Sequence, residues 1–518
     1  MSEKAYAVLV ESEGELLFTV VLLPDAQGTF PIILQRCPYE ELTETMTDQE
    51  AIDYYADMNR RFVEAGYAVI FQHCRGTGKS SGDFIPFIHE REDGLALQLW
   101  VRKQSFYQGE LYLFGGSYTS AVHLATAPFG PDIKGAILAA FDQERYNIYY
   151  RNGNLCHGLC GGWYTGMYKK RNRLPKSEGP DSFRMLPLSE YSKIVFSEKD
   201  SVFDEILKHP EKNDSFWDTR WGGSDTRHAL DHAGIPILMP VGFFDVFFRG
   251  TLEMWNEMDE TTRGQSACVF MPYDHSDGSM QPILYEKGKI EEQFPGYDVE
   301  WFDSIRGKCP VPIETGKITY YSMGDNCWKC DGFEPGSQSM KIGLGKENVT
   351  YVYNPYDPSH YEGGLTSGFS GTAFQSAPGS HYGIQTFYSD VFEKDMCLKG
   401  RMKAALFVKS DCEDTCFYMR ISLVKKEGDY GLRDDIHNLS EFAPDYRPGE
   451  EVKIDFLFDF LAIQIKAGER FRIDISSSAY PIFVPHTNKR GLFSDQTQAV
   501  SAHNTLICDK SVVTIPLV

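Results

Sequence analysis

The sequence predicts an α/β domain that is interrupted by a helical insertion and followed by an all-β sandwich domain. Three observations lead to this fold class. Short apolar runs alternate with amphipathic segments in the first third of the chain, which is typical of a parallel sheet covered by helices. A long stretch without strand alternation follows. The last third carries evenly spaced short alternating runs between Gly, Ser, Pro and Asn residues, which favours antiparallel strands.

Length and composition narrow the class of protein. A chain of 518 residues is too long for one hydrophobic core, so we expect two or three domains. The content of 42% hydrophobic and 24% charged residues is that of a folded protein. No apolar stretch approaches the roughly 18 residues of a membrane span, and the N-terminus lacks a basic segment followed by an apolar one. We therefore expect no membrane association and a cytoplasmic location.

Net charge and cysteine usage exclude further classes. The formal net charge is −22, and no basic stripe is available for a phosphate backbone, so nucleic-acid binding is not expected. Twelve cysteines are scattered singly, which favours reduced thiols over a disulfide framework. Cys156 with Cys160 and Cys327 with Cys330 form two local pairs whose state, free, bridged or metal-bound, the sequence leaves open. Their unequal spacing is weak evidence for metal, and we expect neither metal nor cofactor.

Five short runs predict the strands of the core sheet. They are bounded by Gly, Pro or charge and comprise residues 30–35, 67–72, 111–114, 235–241 and 267–271. Between the first three, residues 48–65 and 91–104 carry apolar residues at helical spacing. We therefore place the two parts of the α/β core at residues 1–142 and 233–330.

The two remaining parts of the chain differ from this core in composition and in the pattern of apolar residues. Residues 143–232 are rich in Tyr, Trp, Arg and Gly, and an insertion of this size between core strands is typical of a lid over the carboxyl end of the sheet, where α/β enzymes bind ligands. Residues 331–518 form the predicted all-β domain. Its clearest alternating runs are residues 402–408, 416–424, 452–456 and 471–476.

The strongest local signal is the segment LYLFGGSYTS at residues 111–120. A strand that runs through Gly115 and Gly116 into Ser117 and directly into a helix predicts a nucleophile elbow, in which small neighbours allow a strained turn that exposes the serine Oγ. The helix dipole and the N–H of Tyr118 are then placed to stabilise an oxyanion. Taken alone, the segment is equally compatible with an ordinary Gly-rich turn.

Asp245 and His275 supply the partners that a nucleophilic serine needs. A serine hydroxyl attacks at neutral pH when a histidine accepts its proton, and in the α/β-hydrolase fold the chain order is Ser, then Asp or Glu, then His. Asp245 follows the run VGFF and His275 follows the run CVFM, so both lie after predicted core strands. Asp274 and Asp277 are alternative partners for the histidine. A residue so close to His275 in sequence is poorly placed to orient its imidazole ring, and we therefore favour Asp245.

Further landmarks occur along nearly the whole chain. They are Arg36-Cys37-Pro38-Tyr39, residues 75–82, Glu92-Asp93-Gly94, His209-Pro210, Phe216-Trp217 and Ala467-Gly468-Glu469-Arg470. Together with the segments around Ser117, Asp245 and His275, they resemble the family of cocaine esterase, X-prolyl dipeptidyl aminopeptidase, α-amino acid ester hydrolase and glutaryl acylase.

This resemblance implies an α/β-hydrolase core with a helical lid and a carboxyl-terminal jelly roll. It also implies that the Tyr39 hydroxyl joins the Tyr118 amide in the oxyanion hole. The expected reaction is cleavage of an ester or amide bond through an acyl-enzyme, without a metal or a cofactor. The chain departs from the family pattern at Ser120, His73 and Phe243-Phe244. The last two departures bear on substrate preference rather than on the triad.

Three functions remain open from the sequence. An acyl esterase acting on small molecules, the favoured function, needs an apolar or aromatic acyl slot, whereas an X-prolyl dipeptidyl peptidase must bind a free α-amino group through buried carboxylates. The third is a non-catalytic protein whose jelly roll binds carbohydrate. The expected partner is a small ester, an amide or a short peptide, and a homodimer is left open. Lid residues that bear on the choice are Glu144, Asp181, Glu190, Asp204, Asp214, Tyr149, Tyr150, Trp163 and Tyr164.

Overall fold

A computed structural model describes most of the chain. The described residues are 4–39, 43–171, 184–196, 199–275, 284–286, 288–290, 297–332, 335–364 and 371–518, and only the backbone is described at 157–160, 169–171 and 201.

One large sheet forms the amino-terminal half of the fold. The strands are β1 (Ala5–Ser12), β2 (Glu15–Leu22), β3 (Phe30–Cys37), β4 (Ala68–His73), β5 (Tyr107–Gly116), β6 (Ile133–Ala139), β7 (Tyr150–Arg151), β8 (Asn154–Leu155), β9 (Ile237–Gly242), β10 (Ala267–Met271), β11 (Ile318–Ser322) and β12 (Cys327–Lys329). Ten of these described strands form the sheet in the order β1-β2-β4-β3-β5-β6-β9-β10-β11-β12, and β7 pairs with β8 separately.

The middle of this sheet is parallel and buried on both faces. Pairings from β4 through β3, β5, β6, β9 and β10 to β11 are parallel, while β1, β2 and β12 join antiparallel at the edges. All residues of β4 and β9 are buried, which explains why both read as continuous apolar runs. The carboxyl ends of β5, β9 and β10 therefore meet at one edge, where α/β proteins bind ligands.

Helices pack against the sheet and also form part of the insertion between β6 and β9. They are α1 (Asp48–Met58), α2 (Arg60–Glu64), α3 (Glu90–Val101), α4 (Tyr118–Leu124), α5 (Arg145–Tyr149), α6 (Thr165–Arg171), α7 (Tyr191–Val195), α8 (Ser201–Ile206), α9 (Phe248–Glu257), α10 (Glu260–Gln265) and α11 (Asp298–Ile305).

The single helix predicted at residues 48–65 is in fact two helices. Thr47 and Glu50 form a capping box at the start of α1. The break falls at Asn59, whose side-chain amide donates to the Tyr55 carbonyl at 3.0 Å and whose Oδ1 accepts from Gln35 at 2.7 Å. Asn side chains compete in this way with the helix backbone, so the second apolar stretch continues as α2.

The insertion between β6 and β9 carries α5 to α8, the β7-β8 hairpin and short 3-10 turns at Leu188–Glu190 and Ser215–Asp218. A π-helix covers His157–Tyr164 and leads directly into α6. Tyr146, Tyr150 and Trp217 form an aromatic cluster inside it. Arg151 of the hairpin contacts Asp435 of the last domain at 2.9 Å, so the insertion packs against that domain.

Antiparallel strands make up the last third of the chain. They are β13 (Gln338–Gly343), β14 (Val349–Tyr353), β15 (Gln385–Tyr388), β16 (Met396–Ser410), β17 (Cys416–Lys425), β18 (Gly428–Asn438), β19 (Val452–Ile465), β20 (Arg470–Ser476), β21 (Ala502–Leu506) and β22 (Val512–Leu517), with α12 (Leu439–Phe442) and a 3-10 turn at Phe493–Asp495.

These strands form two sheets. One has the order β13-β22-β16-β21-β14 with β19 also paired to β16, and the other has the order β15-β20-β17-β18. Residues of β16 and β19 alternate in burial over much of their length, as expected for strands with one face in a core. The fold is therefore an α/β-hydrolase core with an all-β domain after it, as predicted.

Two further sequence expectations concern membranes and cysteines. Among the described helices, none is both long and apolar enough to cross a bilayer. Cys156, Cys327 and Cys330 carry free thiols, and the side chain of Cys160 lies outside the described residues.

Candidate active site

Ser117 occupies a sharp turn between β5 and α4. Its backbone has φ 57° and ψ −130°, a region that residues with a side chain rarely adopt outside functional sites. The Ser117 N–H donates to the Ala139 carbonyl of β6 at 2.9 Å and so holds the turn. A Cβ atom on Gly115 would lie 2.1 Å from the Thr119 carbonyl, so the turn requires glycine there. This is the geometry of a nucleophile elbow.

Asp245 and His275 lie beside this turn. The Nε2 atom of His275 is 3.0 Å from Ser117 Oγ, and its Nδ1 atom is 3.0 Å and 2.9 Å from the two carboxylate oxygens of Asp245. The Phe247 N–H donates to Asp245 at 2.8 Å and fixes the carboxylate. Asp274 is buried, and Asp277 lies outside the described residues. The arrangement allows proton transfer from the serine to a histidine oriented by a buried carboxylate.

Tyr39 follows β3 and lines the same pocket as Ser117. Its hydroxyl accepts a hydrogen bond from the indole N–H of Trp163 at 3.1 Å. The residue is 36% exposed, but burial of its hydroxyl end raises the pKa of Tyr39 above its ordinary value. The hydroxyl therefore keeps its proton at neutral pH and is able to donate it in a hydrogen bond.

Tyr118 begins α4 and presents its backbone N–H where no intrahelical acceptor exists. Its side chain points the other way, into the core. The hydroxyl donates to Glu90 at 2.8 Å and accepts from the Phe87 N–H at 2.7 Å, while the ring stacks on Phe87 at 4.3 Å. These contacts fix the backbone of the residue that follows Ser117.

A buried ion network lies behind the two tyrosines. Arg36 contacts Glu90 at 2.8 Å and Asp93 at 3.6 Å, and Arg75 contacts Asp93 at 2.6 Å. Arg36 is the third residue before Tyr39, and Glu90 holds the Tyr118 hydroxyl. Arg36 and Glu90 therefore connect β3 to Tyr118 at the start of α4.

The pocket beside Ser117 is largely aromatic. The lining residues are Tyr39, Phe87, Ser117, Tyr118, Phe141, Ile148, Trp163 and Phe247.

Comparison with known proteins identifies the family of the chain. Residues 13–277 match the family described as X-Pro dipeptidyl-peptidase (S15 family), and residues 356–512 match the X-Pro dipeptidyl-peptidase C-terminal non-catalytic domain. The chain belongs to the S15 family. This S15 protein is 23% identical to cocaine esterase from Rhodococcus sp. (strain MB1 Bresler), over 93% of this chain and 92% of that protein. It is a serine hydrolase, which sets aside the non-catalytic alternative.

Solved structures with the same fold cover nearly all of the S15 protein. An aminopeptidase from the marine sediment archaeon Thaumarchaeota archaeon has a TM-score of 0.83 and 17% identity, covering 100% of this chain and 97% of that one. An α-amino acid ester hydrolase has a TM-score of 0.79 and 16% identity, covering 99% and 96%. These likenesses concern the fold.

The acidic lid residues that the sequence singled out have partners away from the pocket. In the part of the S15 protein that the structure describes, the contacts are Glu144 with Arg227, Glu190 with Lys193, Asp204 with Ser192 and Asp214 with His209. Asp181 lies outside the described residues. Of the aromatic lid candidates, Trp163 lines the pocket. The Tyr150 hydroxyl instead donates to the Ile206 carbonyl, and the Tyr164 hydroxyl donates to the Asp200 carboxylate.

Two of the departures from the family pattern have structural roles. The Ser120 hydroxyl contacts the Gly115 carbonyl at 3.0 Å and the Ala139 carbonyl at 2.9 Å, and so tightens α4 against the sheet. His73 is buried and bonded to the Tyr55 hydroxyl at 2.8 Å. Burial lowers the pKa of His73 to about 3, which leaves it neutral.

Sequence reasoning missed four lining residues, Phe87, Phe141, Ile148 and Phe247. Phe247 lies two residues after Asp245, so a search around that predicted site residue would have found it. Phe141 lies two residues after β6, a strand that the sequence analysis did not predict. Phe87 and Ile148 come from a loop and from α5, and nothing in their local pattern distinguishes them from ordinary core residues.

Proposed function

We propose that this S15-family hydrolase is an acyl esterase that acts on small-molecule esters with a short acyl chain. The observation that carries the proposal is the lining of the pocket beside Ser117. Apart from Ser117, Tyr39 and Tyr118, its lining side chains are apolar or aromatic, and no carboxylate is among the described lining residues. A free α-amino group in such a pocket would be desolvated without a partner, whereas an acetyl or butyryl group needs none.

Ser117, His275 and Asp245 carry the first step. Ser117 Oγ attacks the ester carbonyl while His275 Nε2 accepts the hydroxyl proton. Asp245 stabilises the resulting imidazolium and keeps the ring in place. The imidazolium then gives its proton to the departing alcohol, and an acyl-enzyme remains on Ser117. Water attacks this intermediate by the same route and releases the acid.

Tyr39 and Tyr118 stabilise the negative oxygen that forms in both steps. Tyr39 follows β3 and Tyr118 begins α4, and both residues line the pocket beside Ser117, which supports this assignment. Donors fixed before the reaction stabilise developing charge without reorganisation, and one such donor contributes about 10²- to 10³-fold in kcat.

An X-prolyl dipeptidyl peptidase is the second candidate. The match to the X-Pro dipeptidyl-peptidase family favours it. That activity requires an acidic anchor for the substrate amine, and Asp181, one of the lid acids named from the sequence, is not among the described residues. The two candidates therefore differ in one requirement, a carboxylate near the acyl pocket.

A substrate panel separates them. We would measure hydrolysis of p-nitrophenyl acetate and butyrate beside Ala-Pro-p-nitroanilide and its N-blocked form, with the wild type and Ser117→Ala. If the protein is an esterase, we expect fast cleavage of the esters, no cleavage of the anilides and loss of ester cleavage in Ser117→Ala. Cleavage of only the free-amine anilide would replace it with the peptidase.

A further inference from the structure

Trp163 and Tyr39 form a contact that the mechanism above does not use. The indole N–H of Trp163 donates to the Tyr39 hydroxyl at 3.1 Å, across 124 positions of sequence. Trp163 lies near the end of the π-helix His157–Tyr164, a rare conformation that is frequent at functional sites. This contact therefore joins the lid to the proposed oxyanion hole.

The direction of this hydrogen bond determines where the proton of the Tyr39 hydroxyl points. An indole N–H only donates, so the Tyr39 oxygen must accept. A phenolic O–H prefers to lie in the plane of its ring, with two favourable orientations. When a donor occupies one side of the oxygen, the hydroxyl proton turns to the other side. Ser117 lies close enough to this hydroxyl to affect its pKa, and the two residues line one pocket.

We propose that Trp163 is a positioning residue, whose indole N–H holds the Tyr39 hydroxyl so that its proton points at the oxyanion formed on Ser117. This inference rests on the proposed function of Ser117 and Tyr39. A hydroxyl that accepts a hydrogen bond is also polarised and becomes a better donor, so the contact acts on both the direction and the strength of the second bond.

Packing around Trp163 supports a fixed orientation. Its ring lies 5.7 Å from the ring of Phe87 and 5.9 Å from that of Tyr118, and Tyr118 meets Tyr39 edge to face at 6.3 Å. One side chain of the lid thus contacts the residues that supply both proposed oxyanion donors. Preorganisation of this kind requires supporting side chains that cannot rotate freely.

A purely structural role for Trp163 makes a different prediction. If the indole served only as a wall of the acyl pocket, Trp163→Phe would change KM and the preference between acetyl and butyryl esters. If it positions Tyr39, the substitution keeps an aromatic wall but removes the N–H, and the loss falls on kcat. Trp221→Phe is the matched control, because Trp221 is 45% exposed and lies outside the pocket.

The test is a double-mutant cycle on p-nitrophenyl butyrate with Trp163→Phe, Tyr39→Phe and the double variant. We expect kcat to fall about 10²- to 10³-fold in Tyr39→Phe and about three- to tenfold in Trp163→Phe with KM within about twofold. The double variant should match Tyr39→Phe alone, because the indole then has no hydroxyl to orient.

Inhibition by butaneboronic acid gives a second readout. Its tetrahedral adduct on a serine places a negative oxygen where the oxyanion forms, so the inhibition constant should rise in Trp163→Phe by the factor by which kcat falls. Additive losses in the cycle, or an effect on KM alone, would overturn the inference while leaving the esterase proposal intact. Full kcat in Tyr39→Phe would instead remove the oxyanion role of Tyr39, and the inference with it.

Discussion

Both carboxylate oxygens of Asp245, which follows β9, lie within 3.0 Å of Nδ1 of His275, which follows β10. An ionised carboxylate only accepts hydrogen bonds, so Nδ1 carries the ring proton and Nε2, which faces Ser117 Oγ, is the nitrogen that can accept the serine proton. The Phe247 N–H holds the carboxylate from behind. The orientation of the histidine is thus built into the backbone that follows β9.

The first prediction concerns Asp245. Asp245→Asn keeps the shape of the side chain but favours the wrong histidine tautomer, so kcat on p-nitrophenyl butyrate should fall about 10³- to 10⁴-fold. Asp274→Asn, at the other candidate acid that the structure describes, should retain activity within about tenfold. The assignment of Asp245 is wrong if Asp274→Asn shows the large loss of kcat and Asp245→Asn retains activity.

The second prediction uses two neighbouring glycines. A Cβ on Gly115 would meet the Thr119 carbonyl at 2.1 Å, whereas a Cβ on Gly116 would meet the Ala139 side chain at an ordinary 3.5 Å. Gly115→Ala should lower the free energy of unfolding by about 1–3 kcal/mol in urea and slow fluorophosphonate labelling. Gly116→Ala should do neither, and equal effects of both would show that the turn is not sterically limited.

The positions of the three proposed triad residues were predictable because parallel strands place their carboxyl ends together. Ser117, Asp245 and His275 all follow short apolar runs, and their order in the chain matches one fold. The structure brings the three side chains within hydrogen-bonding distance. Local signals sufficed here because each residue follows a buried strand that periodicity identifies.

The pocket was not predictable in the same way. Trp163 meets Tyr39 across 124 residues, and such a contact depends on how the insertion folds over the sheet. The strands β6 and β11 were also missed. Short apolar strands cannot be separated from buried helix segments by periodicity alone, and β6 contains Lys134 and Gly135, which weaken its signal further.

The third prediction concerns pH and Asp142, which follows β6. Burial, and then the nearby Glu253 carboxylate, raise the pKa of Asp142 to about 7, while Asn147 and the Glu144 N–H donate to it. Between its ordinary value of 3.8 and about 7, the folded protein binds a proton that the unfolded chain has lost. The free energy of unfolding contributed by this group therefore falls as pH rises through that window.

Asp142→Asn should flatten this dependence. We would compare urea unfolding at pH 5 and pH 7.5 for the wild type, for Asp142→Asn and for Asp83→Asn, a control at an exposed position. The wild type and the control should lose the same stability between the two pH values, and Asp142→Asn should lose less. Equal losses in all three proteins would contradict this role for Asp142.

The fourth prediction concerns the contact between α9 and β19. Arg249 contacts Asp459 at 2.6 Å, and Arg151 of the insertion contacts the same carboxylate at 3.5 Å. Although burial opposes ionisation, Arg249 and Arg151 hold the pKa of Asp459 below its ordinary value. Arg249→Met leaves this buried carboxylate less compensated and should lower the free energy of unfolding by about 1–3 kcal/mol.

The double variant Arg249→Met with Asp459→Leu provides the control. It removes both charges and should recover part of the loss in urea unfolding at pH 7, since no buried charge is then left without its partner. The stability that Asp459 contributes is present above its ordinary pKa and is lost as pH falls below it, so the deficit of Arg249→Met should shrink in acid. A deficit independent of pH would point to lost packing instead.

The central claim is that Ser117 is the nucleophile, and covalent labelling tests it most directly. We would treat the wild type and Ser117→Ala with a fluorophosphonate, digest both proteins and locate the adduct by mass spectrometry. The structure predicts one adduct in the wild type, on the peptide that contains Ser117, and none in the variant. An adduct on a different serine, or equal labelling of both proteins, would contradict the account.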